Sequence, residues 1–153
     1  MARIRDEIEI DRPVDAVFDF VTDGRNEPKY NREMLRSDKL TDGPIGAGTL
    51  FRAVHTSARG PVEMIVKVTE FDRPRRMAST TTMTWAEVRG ALTFAPSGSG
   101  TRMHWEWEVR PKGLAKMLTP VVGVVGRRSE RACWEGLKRY LEAESSRASS
   151  SAR

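Results

Sequence analysis

The stretch TRMHWEWEVR, Thr101–Arg110, alternates strictly. Met103, Trp105, Trp107 and Val109 share one parity, and Arg102, His104, Glu106, Glu108 and Arg110 the other. Strand side chains point alternately to opposite faces, so this segment reads as a β-strand with one apolar and one charged side. Trp105 and Trp107 are expected to be shielded from water, Glu106 and Glu108 to be exposed. His104 shares the charged side and reads as a solvated histidine. Two indoles and a thioether on one strip suit either a close-packed core or the wall of a pocket for an apolar ligand. The pattern leaves both open.

Upstream the same texture continues. Turn signals fall at Asp42-Gly43-Pro44, Gly46 and Gly48, Arg59-Gly60-Pro61, Arg73-Pro74 and Pro96-Ser97-Gly98-Ser99-Gly100. They delimit strands over Thr49–Thr56, Val62–Phe71, Arg76–Trp85 and Val88–Ala95, with Met34–Leu40 as a more polar edge candidate. Ile4, Ile8 and Ile10 mark a first strand. The total is about seven strands on the spacing of a meander. No helix-length segment separates the central strands, which excludes a parallel βαβ design. Asp11-Arg12-Pro13 opens a short helix whose stripe is Val14, Val17, Phe18 and Val21. The polar run Asn26–Arg32, around Pro28 and Tyr30, is a turn or a second short helix.

Downstream of Lys112 the periodicity becomes helical. Gly113–Glu144 reads as one long helix, bent at Pro120 where a backbone donor is missing. Leu118, Val122, Val125, Cys133, Leu137, Tyr140 and Leu141 fall on its apolar side. Gly126 and Ser129 lie between them and are expected to leave space. Residues 1–144 form the domain, and the Ser-rich tail 145–153 has no apolar anchor and is expected to be disordered. The expected architecture is an α+β fold, a curved antiparallel sheet wrapped round this helix and enclosing a pocket. Its expected ligand-binding wall is Tyr30, Phe51, His55, Met64, Val66, Met83, Trp85, Leu92, Met103, Trp105, Trp107, Leu118, Val122, Gly126 and Ser129. The phase of Thr49–Thr56 stays open: Phe51 and His55 point inward together, or Leu50 and Val54 do, and Arg52 and His55 cannot both enter.

Composition narrows the chemistry. Of 153 residues, 39% are hydrophobic and 31% charged, enough for one core and a solvated surface. The net charge is +5, but cations are interspersed with acids, and no zinc-finger, helix-turn-helix or RNA-binding signature accompanies Arg73, Arg75 and Arg76 or Arg127 and Arg128. No nucleic-acid partner is expected. Cys133 is the only cysteine, which excludes an internal disulfide and a Cys-cluster metal site. His55 and His104 do not make a metal site at unlinked positions. There is no Gly-x-Ser-x-Gly elbow, phosphate loop or Gly-x-Gly-x-x-Gly fingerprint. Neither metal nor cofactor is expected, and no catalytic residue is assigned. The charged N-terminus and the short apolar run Val121–Val125 suggest a cytoplasmic protein, monomeric or dimeric, with membrane contact not indicated.

Taken in order, Val14-x-x-Val17-Phe18-x-Phe20-Val21-x-Asp23, Asn26-x-Pro28-x-Tyr30, Gly43-Pro44-x-Gly46-x-Gly48-Thr49, Val68-x-Glu70-Phe71-x-x-Pro74-Arg75-Arg76 and Leu137-Lys138-x-Tyr140-Leu141-Glu142 span nearly the whole chain outside the tail. Together they resemble the polyketide cyclase/dehydrase branch of the START-like (SRPBCC, helix-grip, birch-pollen-allergen-like) superfamily. The resemblance implies a sheet gripping the C-terminal helix with a pocket between them. It implies binding of a small hydrophobic or amphipathic molecule, lipid-like or aromatic and polyketide-like. Alternatives are a cyclase or dehydratase acting in that pocket, or a lipid- or protein-interaction module. Glu27-Pro28-Lys29-Tyr30 stands where aromatic polyketide cyclases are expected to carry a tryptophan–proline pair.

Overall fold

The turn signals each close a hairpin in the computed structural model, which describes residues 1–152. The strands are β1 (Ala2–Ile10), β2 (Met34–Lys39), β3 (Leu50–His55), β4 (Val62–Asp72), β5 (Arg76–Met83), β6 (Ala86–Ser97) and β7 (Gly100–Pro111). Helix α1 (Val14–Thr22) and a 3-10 turn (Gly24–Lys29) follow β1. A second 3-10 turn (Gly113–Leu118) leads into α2 (Thr119–Ser151). All seven strands form one antiparallel sheet in the order β1-β7-β6-β5-β4-β3-β2. The meander β2–β7 is therefore completed by β1 returning beside β7.

Registry puts the apolar side chains of neighbouring strands on one face, with register shifts in β2 between Met34 and Arg36 and in β4 between Val68 and Glu70. Ile4 pairs with Trp107 and Ile8 with Met103. Leu92 pairs with Trp105, Met77 with Leu92, and Phe51 with Val66. This settles the phase of β3. Phe51 and Ala53 are buried and His55 shares their parity, whereas Arg52 points outward, 3.6 Å from Glu63. Phe18 of α1 closes one end of the core, edge-to-face with Phe71 at 5.3 Å and Phe94 at 5.1 Å.

Helix α2 runs alongside β1 rather than over the middle of the sheet. Arg131 donates to the Glu7 carbonyl at 2.9 Å and Lys138 to the Glu9 carbonyl at 2.7 Å. Glu142 accepts from the Asp11 amide at 3.0 Å, and Arg12 donates to the Leu141 carbonyl at 2.9 Å. These bonds occupy backbone groups along an edge strand that would otherwise invite pairing with another chain. A Cβ at Gly126 would lie 2.5 Å from Ile4 Cδ1. The missing side chain at Gly126 thus admits Ile4, not a ligand, which corrects the expectation that it leaves space. Only the tip of a flexible isoleucine is in the way, and alanine gains about 1 kcal/mol of helix propensity over glycine. Gly126→Ala is accordingly expected to change the unfolding free energy by less than about 1 kcal/mol in denaturant titration, the two effects offsetting.

The long helix differs from expectation in three ways. It begins at Thr119, so Pro120 lies in the first turn, where no amide donor is required, instead of bending the middle. Leu118 and Val125, expected inward, are 55% and 59% exposed, because contact with β1 is made by the Gly123 and Gly126 side of the helix. The helix continues to Ser151, past the expected end at Glu144. No glycine or proline follows Gly136 to stop the helix, and the hydroxyls of Ser146, Ser149, Ser150 and Ser151 donate to carbonyls one turn back. No helix among the described residues is long and apolar enough to cross a membrane.

Candidate ligand site between the sheet and the C-terminal helix

The concave face of the sheet is covered unevenly. Near α1 it is closed: Phe51, Leu92, Met103 and Trp105 are each at most 3% exposed and belong to the core. Toward the other end Met64, Val66, Met83, Val88 and Trp107 point to the same face but remain half-buried, and Val122 of α2 is half-buried opposite them. Since α2 is seated on β1, this part of the face is only partly covered, and we refer to it as the cleft. Trp85, expected on the wall, is instead 40% exposed, because β5 ends at Met83 and the residue sits in the tight turn to β6. Leu118 likewise lies outside. Two hollows lie elsewhere on the surface, of about 340 Å³ beside Tyr30 and Tyr140 and of about 560 Å³ around Ala78 and Ala91, the latter reaching Trp107.

At the α2 side of the cleft stands Glu130. Its Oε2 accepts from the indole N–H of Trp107 at 2.8 Å and of Trp134 at 2.9 Å. Its Oε1 accepts from no described residue. Trp107, expected to be largely shielded, is half-buried, and its N–H is spent on this carboxylate. The third indole of the group, Trp105, packs 5.9 Å from Trp134, and its N–H is buried without a partner. A buried donor left unpaired carries an energetic penalty that an incoming acceptor relieves.

Around Glu130 lies a further polar group. Asn31 donates to Glu27 at 2.9 Å. His55 Nε2 is 3.2 Å from Glu33, its Nδ1 2.6 Å from the Thr56 carbonyl. Ser129 donates to Glu33 at 2.8 Å, so this small residue ties the helix to the start of β2 rather than leaving a void. Tyr30 sits between Phe20 and Trp134, with ring centroids 5.9 and 6.2 Å away. The close approach of its carbonyl depends on Gly136, where a Cβ would lie 2.5 Å from that oxygen. Among the described residues, no three His, Cys, Asp or Glu side chains gather as a metal site.

Burial dominates the electrostatics. Withdrawal from water pushes the Glu130 carboxyl from 4.5 up to about 7; the nearby Glu27 adds to the rise, and the two indole bonds oppose it. Burial raises Glu27 too, against its bond from Asn31 and the charge of His55. It pushes the Tyr30 hydroxyl well above its usual range and the Cys133 thiol up, so neither is a ready nucleophile. A carboxyl near 7 is partly protonated at neutral pH and suited to give or take a proton.

Glu130 and Trp134 were not among the sequence-predicted residues. Glu130 lies four residues after Gly126 and three before Cys133, on the helix face that packs inward. An acid in that stripe, one turn from a tryptophan, was the available signal.

The family described as polyketide cyclase / dehydrase and lipid transport matches residues 1–142. Among curated proteins, none matches the sequence. Among solved structures, the chain is similar to TTHA0849 from Thermus thermophilus, with a TM-score of 0.81 and 20% identity over 94% of this chain and 99% of that one. It is similar to a START superfamily protein from Mycobacterium smegmatis, with a TM-score of 0.82 and 14% identity over 94% and 99%. It is also similar to the Zhui aromatase/cyclase from Streptomyces sp. R1128, with a TM-score of 0.78 and 12% identity over 92% and 93%. At these identities the likeness is one of fold.

Proposed function

The chain belongs to the polyketide cyclase / dehydrase and lipid transport family, and from that premise we propose that it binds a small, largely apolar molecule carrying a hydrogen-bond acceptor in the cleft between the sheet and α2. The observation that carries this reading is the uncovered part of the concave face. Val66, Met83, Val88 and Trp107 lie on the core-facing side of the sheet yet remain half-buried. Wide, adaptable apolar side chains beside a few polar groups are the usual lining of a small-molecule site. The free Oε1 of Glu130 supplies the polar end.

Tryptophan emission tests the proposal, because Trp105, Trp107 and Trp134 are clustered at the site. Titration with fatty acids, flavonoids and aromatic polyketides is expected to give a saturable change for at least one class. A flat response across all three contradicts the proposal.

A second reading, a cyclase- or dehydratase-type reaction on the bound molecule, is favoured by Glu130 alone. Its carboxyl, pushed up to about 7, is poised for proton transfer near neutral pH. Chromatography with mass analysis of a bound polyketone after incubation separates the two readings. Recovery of the same compound supports carriage; an isomer of equal mass supports cyclisation and loss of the mass of water supports dehydration, provided Glu130→Gln abolishes it.

A further inference from the structure

Between Pro111 and Ser129 the chain has no acidic residue and four cations, Lys112, Lys116, Arg127 and Arg128. Over the same stretch six large apolar side chains stand in solvent. Leu114 is 87% exposed, Met117 82%, Leu118 55%, Val121 57%, Val124 56% and Val125 59%. They recur at intervals of three or four residues, so they form one stripe along the 3-10 turn and the first turns of α2. The opposite side of the same turns, through Gly123 and Gly126, is the side that packs on Ala2 and Ile4 of β1. Trp85, 40% exposed, is held at the start of the stripe, its carbonyl accepting from the Lys112 amide at 2.7 Å. Lys112 Nζ also donates to the Met83 carbonyl at 3.2 Å. A continuous apolar stripe of this size is uncommon on a surface that faces only water.

We propose that this face docks on the surface of an anionic lipid bilayer. Charge selects that occupant. A second copy of the chain meeting this face would bring four further cations against four, with no acid between Pro111 and Ser129 to offset them. An anionic bilayer supplies apolar depth for the stripe and negative headgroups for the flanking lysines and arginines. An exposed tryptophan beside the stripe suits the headgroup level, where one end of the ring is apolar and the other wet. The stretch is too short and too interrupted, by Gly123 and Pro120, to span, so the contact is interfacial. Docking stands whatever the cleft binds; the surface adjoins Val122, at the mouth of the cleft.

Sedimentation of the full chain with phosphatidylcholine vesicles, with and without phosphatidylserine, tests the proposal. Binding is expected only to vesicles containing phosphatidylserine, and is expected to weaken as salt rises. Replacing Arg127 and Arg128 by serine is expected to weaken it roughly 10–30-fold, at about fivefold for each cation. Leu118→Glu with Val125→Glu is expected to abolish it. All four side chains are exposed, and unchanged circular dichroism verifies that each variant is folded. Absence of binding to both vesicle types overturns the proposal, as does equal binding to both. So does a concentration-dependent dimer that Leu118→Glu with Val125→Glu dissolves, since a second copy would then occupy the face.

Discussion

Trp105→Ala is expected to lower the unfolding free energy by about 3–5 kcal/mol. The indole is 1% exposed, lies opposite Leu92 in the sheet and packs 5.9 Å from Trp134. It bridges the closed part of the concave face and the helix. Its N–H has no partner, so removing it forfeits no hydrogen bond, and the loss is that of packing plus the cavity left behind. The neighbouring Trp107→Ala provides the contrast. That indole is half-buried and borders the cleft, so fewer contacts vanish, although Glu130 loses one of its two donors. Denaturant titration of both variants is expected to rank Trp105→Ala clearly above Trp107→Ala. Equal costs would mean that the cleft is packed shut.

The second large effect is a pH dependence centred on Glu130. Its folded-state pKa of about 7 lies above the ordinary 4.5, so the folded protein holds this proton more tightly than the unfolded chain does. The resulting stabilisation is complete below about 4.5 and is lost as pH rises through about 7, above which the folded state carries a poorly hydrated charge. Partial exposure of the residue reduces the span to about 2 kcal/mol. Glu130→Gln keeps an oxygen to accept from Trp107 and Trp134 but does not titrate. The variant is expected to be more stable than the parent at about pH 8 and to lose most of that advantage at about pH 5. Thermal midpoints across this range check it, and parallel profiles for the two proteins would contradict a raised Glu130. Glu27, raised in the same direction, leaves a residual slope in both proteins.

The strands were legible because four of the hairpins are bounded by turn chemistry and most strands keep their parity; β2 and β4 shift register once each. The alternation of Met103, Trp105, Trp107 and Val109 alone sets the inward face of β7, and registry extends it to β1 and β6. What parity does not convey is where the helix lies on that face. Leu118 and Val125 share an apolar stripe with each other but not with the glycines that touch β1, and a helical wheel has no means of ranking an apolar stripe against a small-residue stripe as the contact side. The same ambiguity turned Gly126 from a vacancy into a seat for Ile4. Trp85 was misplaced by two residues of strand, enough to move an indole from the wall to a turn. The polar part of the site was hidden for a different reason. Glu27, Glu33, His55 and Glu130 come from a 3-10 turn, a strand entry, a strand end and a helix, and only the fold brings them together.

The central claim, that the half-covered cleft holds one small amphipathic molecule, is tested most directly by native mass spectrometry of the protein incubated with fatty acids, flavonoids and aromatic polyketides. Expected is a folded species heavier than the chain by the mass of one such molecule, lost on unfolding. The bare chain alone with every compound would contradict it.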